Sequence, residues 1–477
     1  MGSDRFSRVS NGQGFGQSRR RFIELASVAS LTGASLGSLV EIGQGQRVTA
    51  ALGTFDRAIG VAVTVRGNES RPLVNVRAYG AVGDGVANDA SPIQNAIIAT
   101  TASGGAVFFP PGTYRIHGTN QYRDQAYSIR LPSGVSLVGA GTGVSTIKTS
   151  GSYPSANLLF SHQTTNISLR NLTMDGNGLN NANPIKLANC ATVVLENVEA
   201  IGGSYCVQLM GCQDVFVVDC LAHDSVSTSG GGFGFSVVDN VTSTVFNDLV
   251  STARVHLVNC RSHSHPTGGF RIVAGVAPGR PGGPKAGTYY ITETSLVNCQ
   301  VEKIGGSGLE PGFFCSYADG VSIVNCTARS CGMAADLQFS KNCRLFGLRG
   351  FSMRKQGLRF YGTSASIISG CEIRDFGSLP EASRTRYPGF SLQDGAGGVG
   401  STNNVVTGCV SGGSSADSST WTRRIGYYDN DPNSGPNLVV GNDFSRNEAG
   451  FGLVTRPTTV TIANRLDPAS PQVVIPP

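Results

Sequence analysis

Seven polar side chains occupy the middle of short apolar–polar–apolar segments, and they are the residues in this sequence best spaced to do chemistry together. In a strand of this form the two apolar neighbours point inward and the middle residue points outward. If the segments stack as successive coils, the middle residues form one outward-facing column with members about 4.8 Å apart. In chain order the predicted column is Lys186, Gln208, Ser236, Arg271, Glu310, Gln338 and Arg359.

Two carboxylates in and beside this column could act as an acid and a base. Glu310 is the only acid among the seven, and Asp336 lies two positions before Gln338 on the same predicted face. One coil combined with a two-residue offset places the two carboxyls roughly 6–9 Å apart, the range of an inverting glycosidase pair. In such a pair one carboxyl protonates the leaving oxygen and the other activates water. A strand-start role for Asp336 and an ion pair between Glu310 and Arg271 are the structural alternatives.

These considerations define a set of candidate site residues. We predict Glu310, Asp336 and Arg271 as catalytic residues. The remaining column members and two histidines are predicted to bind substrate: Lys186, Gln208, Ser236, Gln338, Arg359, His223 and His263.

The two histidines follow aligned cysteines by three residues, so they should stack on adjacent coils. With Asp224 and His265 nearby, they could orient substrate or shuttle protons, or simply hydrogen bond within a turn. No Cys-x-x-Cys pair is present, and we predict neither a metal site nor a cofactor.

The elements that position these residues are repeats. Nine segments of the type VVLENVEAIGG, VHLVNCRSHSH and VSIVNCTARSCG recur every 22 to 40 residues or so, which is typical of a solenoid with one coil per repeat. Alignment places these residues in one column: Leu172, Val198, Cys220, Cys260, Cys299, Cys326, Cys371 and Cys409. The twelve cysteines could form disulfides, but cysteine in positions that other repeats fill with Leu or Val favours an interior column of free thiols.

Residues 73–116 are predicted to cap the solenoid. A short strand and a glycine turn precede Asp89, a candidate helix N-cap, and the segment Ala90 to Ala102 has apolar residues at helical spacing. Gly104-Gly105 ends the helix, and two strands separated by Pro110-Pro111-Gly112 follow.

The cap carries a family resemblance in NVRAYGAVGDGVANDASPIQNAI and GGAVFFPPGTYRI. These motifs resemble the N-terminal signature of the pectate-lyase-like right-handed β-helix superfamily, in its rhamnogalacturonase and epimerase-like group. The resemblance implies an all-β fold, a single-stranded right-handed parallel β-helix over residues 117–455 with a short N-terminal capping helix. It also implies an enzyme acting on a polysaccharide, although one such scaffold hosts hydrolases, lyases, epimerases, transferases and phage depolymerases.

The catalytic motifs of two members of that superfamily are missing. The family 28 polygalacturonases carry Asn-Thr-Asp, a paired Asp and Gly-His-Gly, and none of these occurs here. The Asp-Pro-His of mannuronan epimerases is also absent, since Asp431-Pro432 is followed by Asn433.

The two ends of the chain lie outside the predicted solenoid. SRRRFIE at residues 18–24 precedes the weakly apolar run Leu25 to Val40, the order of regions in a twin-arginine export signal. We predict a signal over 1–50, with a cut after Ala50 as one of several compatible sites, a linker over 51–72 and a C-terminal tail over 456–477. The mature protein is then periplasmic, cell-surface or secreted, without a membrane anchor.

Three functions are compatible with these patterns. The first is an exported glycoside hydrolase or transferase using Glu310 and Asp336. The second is a polysaccharide lyase acting on uronates, with Arg271 or Lys186 drawing the proton. The third is a non-catalytic rod or binding protein, which includes assembly into a homotrimer. A net charge of +6 without a long basic run argues against nucleic acid as a partner.

Overall fold

The computed structural model describes most of the chain beyond residue 72. The described residues are 40–42, 46–55, 58–66, 72–118, 120–122, 125–150, 157–177, 183–226, 231–239, 250–275, 289, 291–305, 310–378, 387–414, 424–429, 431–447, 452–466 and 473–474. The arginines of the predicted export signal lie outside them, so the signal stays a prediction.

The chain divides into two compact units, Met1–Asn68 and Glu69–Pro477. In the first unit an antiparallel sheet is formed by Val40–Ile42, Gln46–Phe55 and Ala58–Arg66. The cleavage point predicted after Ala50 therefore falls within a strand. The residues predicted as a linker include the second half of that strand and all of the next one.

The second unit is a parallel β-helix with three faces, and each coil supplies one strand to each face. Tyr205–Met210, Gln213–Val218 and Leu221–His223 are the three strands of one coil, and the next coil begins with Phe233–Val238. We call the faces that contain these three strands face 1, face 2 and face 3. The prediction of an all-β right-handed parallel β-helix is confirmed.

Face 1 is a sheet of fourteen strands. They are Asn120–Tyr122, Gln125–Arg130, Asn157–His162, Ile185–Ala188, Tyr205–Met210, Phe233–Val238, Gly268–Val273, Pro311–Ser316, Met333–Gln338, Leu358–Tyr361, Tyr387–Gln393, Arg424–Asp429, Leu453–Thr455 and Val473–Val474.

Faces 2 and 3 join in a sheet of twenty-six strands, because the strands Thr165–Asp175 and Ala191–Ile201 run through both. Its members are Leu73–Asn75, Gly105–Phe109, Gly112–Ile116, Val135–Gly139, Ser145–Thr149, Thr165–Asp175, Ala191–Ile201, Gln213–Val218, Leu221–His223, Thr252–Val258, Arg261–His263, Ile291–Thr292, Ser295–Val297, Gln300–Glu302, Ala318–Asp319, Ser322–Val324, Thr327–Arg329, Arg344–Phe346, Arg349–Phe351, Ile367–Ser369, Glu372–Arg374, Val405–Thr407, Val410–Gly412, Leu438–Val440, Asp443–Arg446 and Val460–Ile462.

The core is built from repeated side chains that stack along the axis of the β-helix. Phe235, Phe270 and Phe313 lie one above the other inside face 1, with ring centroids 5.1 and 5.2 Å apart. All three are buried, so each coil adds its apolar area to one continuous core.

The cysteine column is confirmed. All twelve cysteines are free and buried. Cys260 and Cys299 donate weak hydrogen bonds to carbonyls of the coil before them, at 3.3 and 3.4 Å. Burial raises the pKa of these thiols well above its ordinary value, and it raises that of Cys343 to about 12. The side chains act as small apolar core residues.

We expect this burial to make every thiol unreactive in the folded protein. A thiol-specific chromogenic reagent at neutral pH should modify none of the twelve cysteines, and all twelve should react once denaturant is added, because only the exposed thiolate is nucleophilic. Rapid reaction of one or two thiols in the native protein would contradict the buried arrangement.

The cap contains the single helix Ala90–Thr101, preceded by the 3₁₀ turn Val76–Tyr79. Ile93, Ala96, Ile97 and Thr100 are its buried residues, as the helical spacing predicted. Asp89 is the N-cap residue of this helix, as predicted, but its side chain makes no capping bond. Its carboxylate instead accepts hydrogen bonds from the backbone of Val82 (2.7 Å) and Gly83 (3.1 Å), and this holds the glycine turn. In the part of the chain that the structure describes, no helix combines the length and apolarity needed to cross a membrane.

Candidate active site on face 1

The structure contains the predicted outward-facing column on face 1, but two of the residues predicted to belong to it lie elsewhere. Strand register runs from Lys186 through Gln208 and Ser236 to Arg271, as predicted. Arg271 then pairs with Phe314, Phe314 with Asp336, and Asp336 with Arg359. Phe314 and Asp336 therefore take the positions predicted for Glu310 and Gln338. We call Lys186, Gln208, Ser236, Arg271, Phe314, Asp336 and Arg359 the face 1 column.

The register error has a local cause. The segment Leu309-Glu310-Pro311 has the expected pattern, but the strand starts only at Pro311. In the next coil Leu337 points inward and has an outward residue on each side, so Asp336 and Gln338 fit the alternation equally well.

The predicted acid/base geometry of Glu310 and Asp336 is consequently wrong. Asp336 pairs with Phe314, four residues after Glu310, which is about 13 Å along an extended strand. The Glu310 carboxylate lies 3.4 Å from the guanidinium of Arg354 and forms an ion pair with it.

Asp336 is held in a buried ion pair with Arg359. The two make a bidentate contact, with Arg359 Nε donating to Oδ1 at 2.9 Å and Nη2 donating to Oδ2 at 2.7 Å. Gln338 Nε2 also donates to Oδ2, at 2.8 Å. Since the Asp336 side chain is only 3 % exposed, this carboxylate is already satisfied and neutralised.

Arg271, at the centre of the column, differs sharply from Arg359. Its Nη1 donates to Ser236 Oγ at 3.2 Å, and its Cζ lies 5.9 and 5.6 Å from the ring centroids of Tyr205 and Phe233. Among the described residues it forms no ion pair. Burial lowers the pKa of its guanidinium, although the group stays charged at any physiological pH. A desolvated cation with no carboxylate at ion-pair distance among the described residues is suited to an anionic ligand.

Asp239 lies at the end of the strand beside Arg271 and is also buried. Its Oδ1 accepts a hydrogen bond from the backbone of Gly275 at 3.1 Å, whereas its Oδ2 has no hydrogen-bond partner. Burial raises the pKa of this carboxyl, and the hydrogen bond and the charge of Arg271 oppose that shift. The Asp239 carboxyl therefore stays protonated up to a higher pH than an exposed Asp carboxyl does.

Lys186 supplies a second cation at one end of the column. Its Nζ donates to Gln125 Oε1 at 2.7 Å, and burial lowers its pKa to about 8. Gln208 lies on the next coil and accepts a hydrogen bond from Asn183 at 3.1 Å. Lys186 and Arg271 are three coils apart, or about 14 Å.

The predicted stacking of His223 and His263 is confirmed, but the pair lies on face 3 and not with the face 1 column. Their ring centroids are 4.9 Å apart. His223 bonds to Asp224 at 2.7 Å and to Glu199 at 3.3 Å, and burial together with the charge of His223 lowers the pKa of His263. Within the described ranges, no group of three or more His, Cys, Asp or Glu side chains is placed to hold a metal ion.

Sequence reasoning missed the aromatic neighbours of Arg271. The rings of Tyr205 and Phe233 lie on consecutive coils, stacked at 6.2 Å. They flank the guanidinium from positions three residues before the column. No periodicity in the sequence marks them, because the coils on either side carry Asn183 and Gly268 at that position.

Comparison with known proteins agrees with the fold. A family model described as rhamnogalacturonase A/epimerase, pectate lyase-like, matches residues 73–264, and one described as a right-handed β-helix region matches residues 283–424. A solved structure, the A-module of mannuronan C-5 epimerase AlgE6 from Azotobacter vinelandii, has a TM-score of 0.61 at 21 % identity. The match covers 84 % of this chain and 100 % of that one, and at this identity it shows the fold alone.

Curated relatives match a shorter part of the chain. Mannuronan C5-epimerase AlgE6 of Azotobacter vinelandii is 38 % identical over 117 residues, which is 23 % of this chain and 13 % of the relative. Alginate lyase 7 of the same organism is 39 % identical over 112 residues, 22 % of this chain and 12 % of the relative. The chain thus spans only a small part of these proteins. The two family models and the observed coils agree on a right-handed parallel β-helix fold.

Proposed function

We propose that this protein binds a uronate-containing polysaccharide along face 1 and removes the hydrogen next to a sugar carboxylate, as a lyase or an epimerase. The observation that carries the proposal is Arg271, a desolvated cation at the centre of the column with no ion-pair partner among the described residues. Leaving a charge in that state is unfavourable unless a ligand compensates it.

The arrangement of charge favours an acidic substrate over a neutral one. Lys186 and Arg271 are partly buried cations on the same ladder, and neither has a carboxylate partner among the described residues. Their separation of about 14 Å suits two carboxylates on different sugars of one extended chain. A neutral glycan would leave both cations uncompensated.

Removal of a hydrogen next to a carboxylate requires three functions, and face 1 offers a candidate for each. Arg271 would bind the carboxylate and stabilise the negative charge that develops on it as the C–H bond breaks. Tyr205, whose ring lies beside that guanidinium, would accept the proton as a phenolate and would return it as a phenol. Asp239, whose pKa is raised, would supply a proton from the opposite end of the strand.

Two outcomes follow from the common carbanion. In elimination the electron pair of the broken C–H bond forms a carbon–carbon double bond, the bond to the leaving glycosidic oxygen breaks, and that oxygen takes a proton. In epimerisation the carbanion is reprotonated from the opposite face and no bond of the backbone breaks. The partial matches to mannuronan C5-epimerases and an alginate lyase support both alternatives, because each of those activities is directed at a uronate.

The hydrolase hypothesis receives less support. It requires two carboxyls that face one bond from opposite sides, with room for water. Asp336 is neutralised by Arg359, and Glu310 lies several residues along the strand in an ion pair with Arg354.

Isotope transfer distinguishes these reactions in one experiment. Mannuronan and polygalacturonate are incubated with the protein in D₂O and, separately, in ¹⁸O-labelled water. A lyase yields ultraviolet-absorbing unsaturated ends, and an epimerase yields deuterium in a polymer of unchanged length. A hydrolase yields ¹⁸O in new ends without absorbance. If neither mannuronan nor polygalacturonate acquires deuterium or ultraviolet absorbance, the proposal is overturned.

Binding should depend on pH through Lys186. Its pKa of about 8 means that the ammonium loses its charge as pH rises from 7 to 9, so affinity for a polyuronate should fall across that window. A bound carboxylate favours the charged form and raises the pKa of Lys186 in the complex, so affinity should begin to fall near pH 8 and level off only above the pKa of the complex. Lys186→Arg should abolish the dependence, since arginine keeps its charge. Calorimetric titration at pH 7, 8 and 9 measures both, and a wild-type affinity that is flat across this range would contradict the assigned role.

A further inference from the structure

A second concave site lies between the capping helix and the first coils of face 1. It is a cavity of about 560 Å³, within the range of small-ligand pockets. Ile98 and Gln94 of the helix line one wall, and Tyr122, Arg130 and His162 of face 1 line the other.

The site is distinct from the face 1 column. Arg130 lies on the same ladder two coils before Lys186, and Phe160 is the residue between them. Phe160 is fully buried, because the rings of Tyr122 and Tyr127 pack on it at 6.1 and 5.9 Å. This covered residue separates the pocket from Lys186.

The walls of the pocket are held rigidly. Gln94 Nε2 donates to the carbonyl of Arg130 at 3.2 Å, and its Oε1 accepts from the Arg130 backbone at 3.0 Å, which ties the helix to the edge of face 1. Hydrogen bonds join the ring of His162, which is 2 % exposed, to Tyr122 (3.2 Å) and to Asn189 (3.3 Å). The cavity is therefore preformed, which limits the entropy lost on binding.

Two of the lining groups are suited to a particular ligand. The guanidinium of Arg130 stacks on the Tyr122 ring, with Cζ 4.2 Å from its centroid, and forms no ion pair with any residue that the structure describes. Ile98 is 61 % exposed on a helix whose other isoleucines are buried, so an apolar side chain borders the pocket without being required for the core.

We propose that this pocket binds a carboxylate-bearing sugar unit. The carboxylate contacts Arg130, and the C–H face of the sugar ring contacts Ile98. A cation beside an apolar and aromatic wall recognises an acidic sugar better than a neutral one, because only the acidic sugar compensates the charge. The choice of an acidic sugar rests on the function proposed above, whereas the location of the site does not. A short uronate chain, or the end of a long one, would be held here beside the cap.

The test uses the full-length Arg271→Ala protein, in which the centre of the face 1 column is disabled. Titration with a mannuronate trimer should show binding, at least about tenfold tighter than binding of mannotriose. Adding Arg130→Ala should weaken trimer binding by about tenfold or more, the effect of losing one charge-assisted hydrogen bond. Ile98→Glu, an exposed change that brings a like charge to the carboxylate, should weaken it similarly, and Arg344→Ala on face 2 should have no effect.

The outcomes separate this proposal from the one on which it rests. Trimer binding that survives both Arg130→Ala and Ile98→Glu overturns the pocket, as does equal affinity for the neutral trimer or no trimer binding at all. Deuterium transfer by the wild-type protein is measured independently. If wild type transfers deuterium or forms unsaturated ends and Arg271→Ala does neither, the proposed function stands even where the pocket fails.

Discussion

Arg271→Ala is expected to lower the rate of reaction on a polyuronate, measured as deuterium transfer for an epimerase or as formation of unsaturated ends for a lyase, by at least about 100-fold, which corresponds to roughly 3 kcal/mol of transition-state stabilisation. The guanidinium makes one hydrogen bond within the described protein, to Ser236, so its other donors are available to a carboxylate. Initial rates in D₂O at a fixed polymer concentration, followed by mass spectrometry, measure the effect.

The same substitution should not reduce stability. A partly desolvated cation without an ion-pair partner contributes an unfavourable charge to the folded state, so the midpoint of thermal unfolding should stay the same or rise. Arg344→Ala, which removes an exposed arginine from face 2, controls for the change in net charge and should leave the rate unchanged. An Arg271→Ala protein that unfolds much earlier than wild type would assign this residue a structural role instead.

Asp336→Ala is expected to have the opposite signature, with a loss of stability of about 3 kcal/mol or more. The substitution leaves the guanidinium of Arg359, 20 % exposed, without the carboxylate that receives its two hydrogen bonds. Breaking a buried ion pair by removing one partner typically costs about 3–5 kcal/mol. Denaturant unfolding followed by circular dichroism measures the change in midpoint.

A double variant provides the matched control for this pair. Asp336→Leu with Arg359→Met removes both charges together, and it should recover most of the stability lost in Asp336→Ala, because no buried charge is left alone. The activity of the double variant tests whether Asp336 has the catalytic role that was predicted from the sequence. A folded double variant that retains deuterium transfer would exclude that role, whereas a stable but inactive one would restore it.

The contrast between Arg271 and Arg359 is what makes these predictions informative. Both are arginines on one ladder of one face, three coils apart, and their sequence contexts Phe-Arg-Ile and Leu-Arg-Phe are alike. One is neutralised within the protein and the other is not. Only the strand register shows which coil carries the compensating Asp336.

A stronger repeat for finding that register was present in the sequence. In four of the seven coils a Gly stands two residues before the member of the face 1 column, as in Gly269-Phe270-Arg271, Gly312-Phe313-Phe314 and Gly357-Leu358-Arg359. The strand of Asp336 carries Ala334 at the same position. A Cβ at Gly269 or Gly312 would come within 2.3 or 2.6 Å of Val301, so only a small residue fits. Alignment on this small residue places Phe314 and Asp336 correctly.

The sequence by itself determined the features that repeat. Each of these features is defined by many residues: the cap motif, the coil period and the column of cysteines. A one-residue misalignment in one coil therefore does not change the pattern that the other coils define. The inward position of Cys260 and Cys299 followed from pattern alone, because apolar side chains at one fixed position in every coil must face the core. Four consecutive members of the face 1 column, from Lys186 to Arg271, were found on the same basis.

Only the tertiary structure determined the contacts that occur once in the molecule and do not repeat from coil to coil. The ion pair of Asp336 with Arg359, the aromatic rings flanking Arg271, and the pocket beside Ile98 and Arg130 each join residues from different coils or from the helix and the sheet. A charge shows in the sequence, but whether it is compensated depends on which side chain the register sets beside it. In a β-helix a shift of one or two residues in a single coil changes that neighbour, and with it the chemistry the column can do.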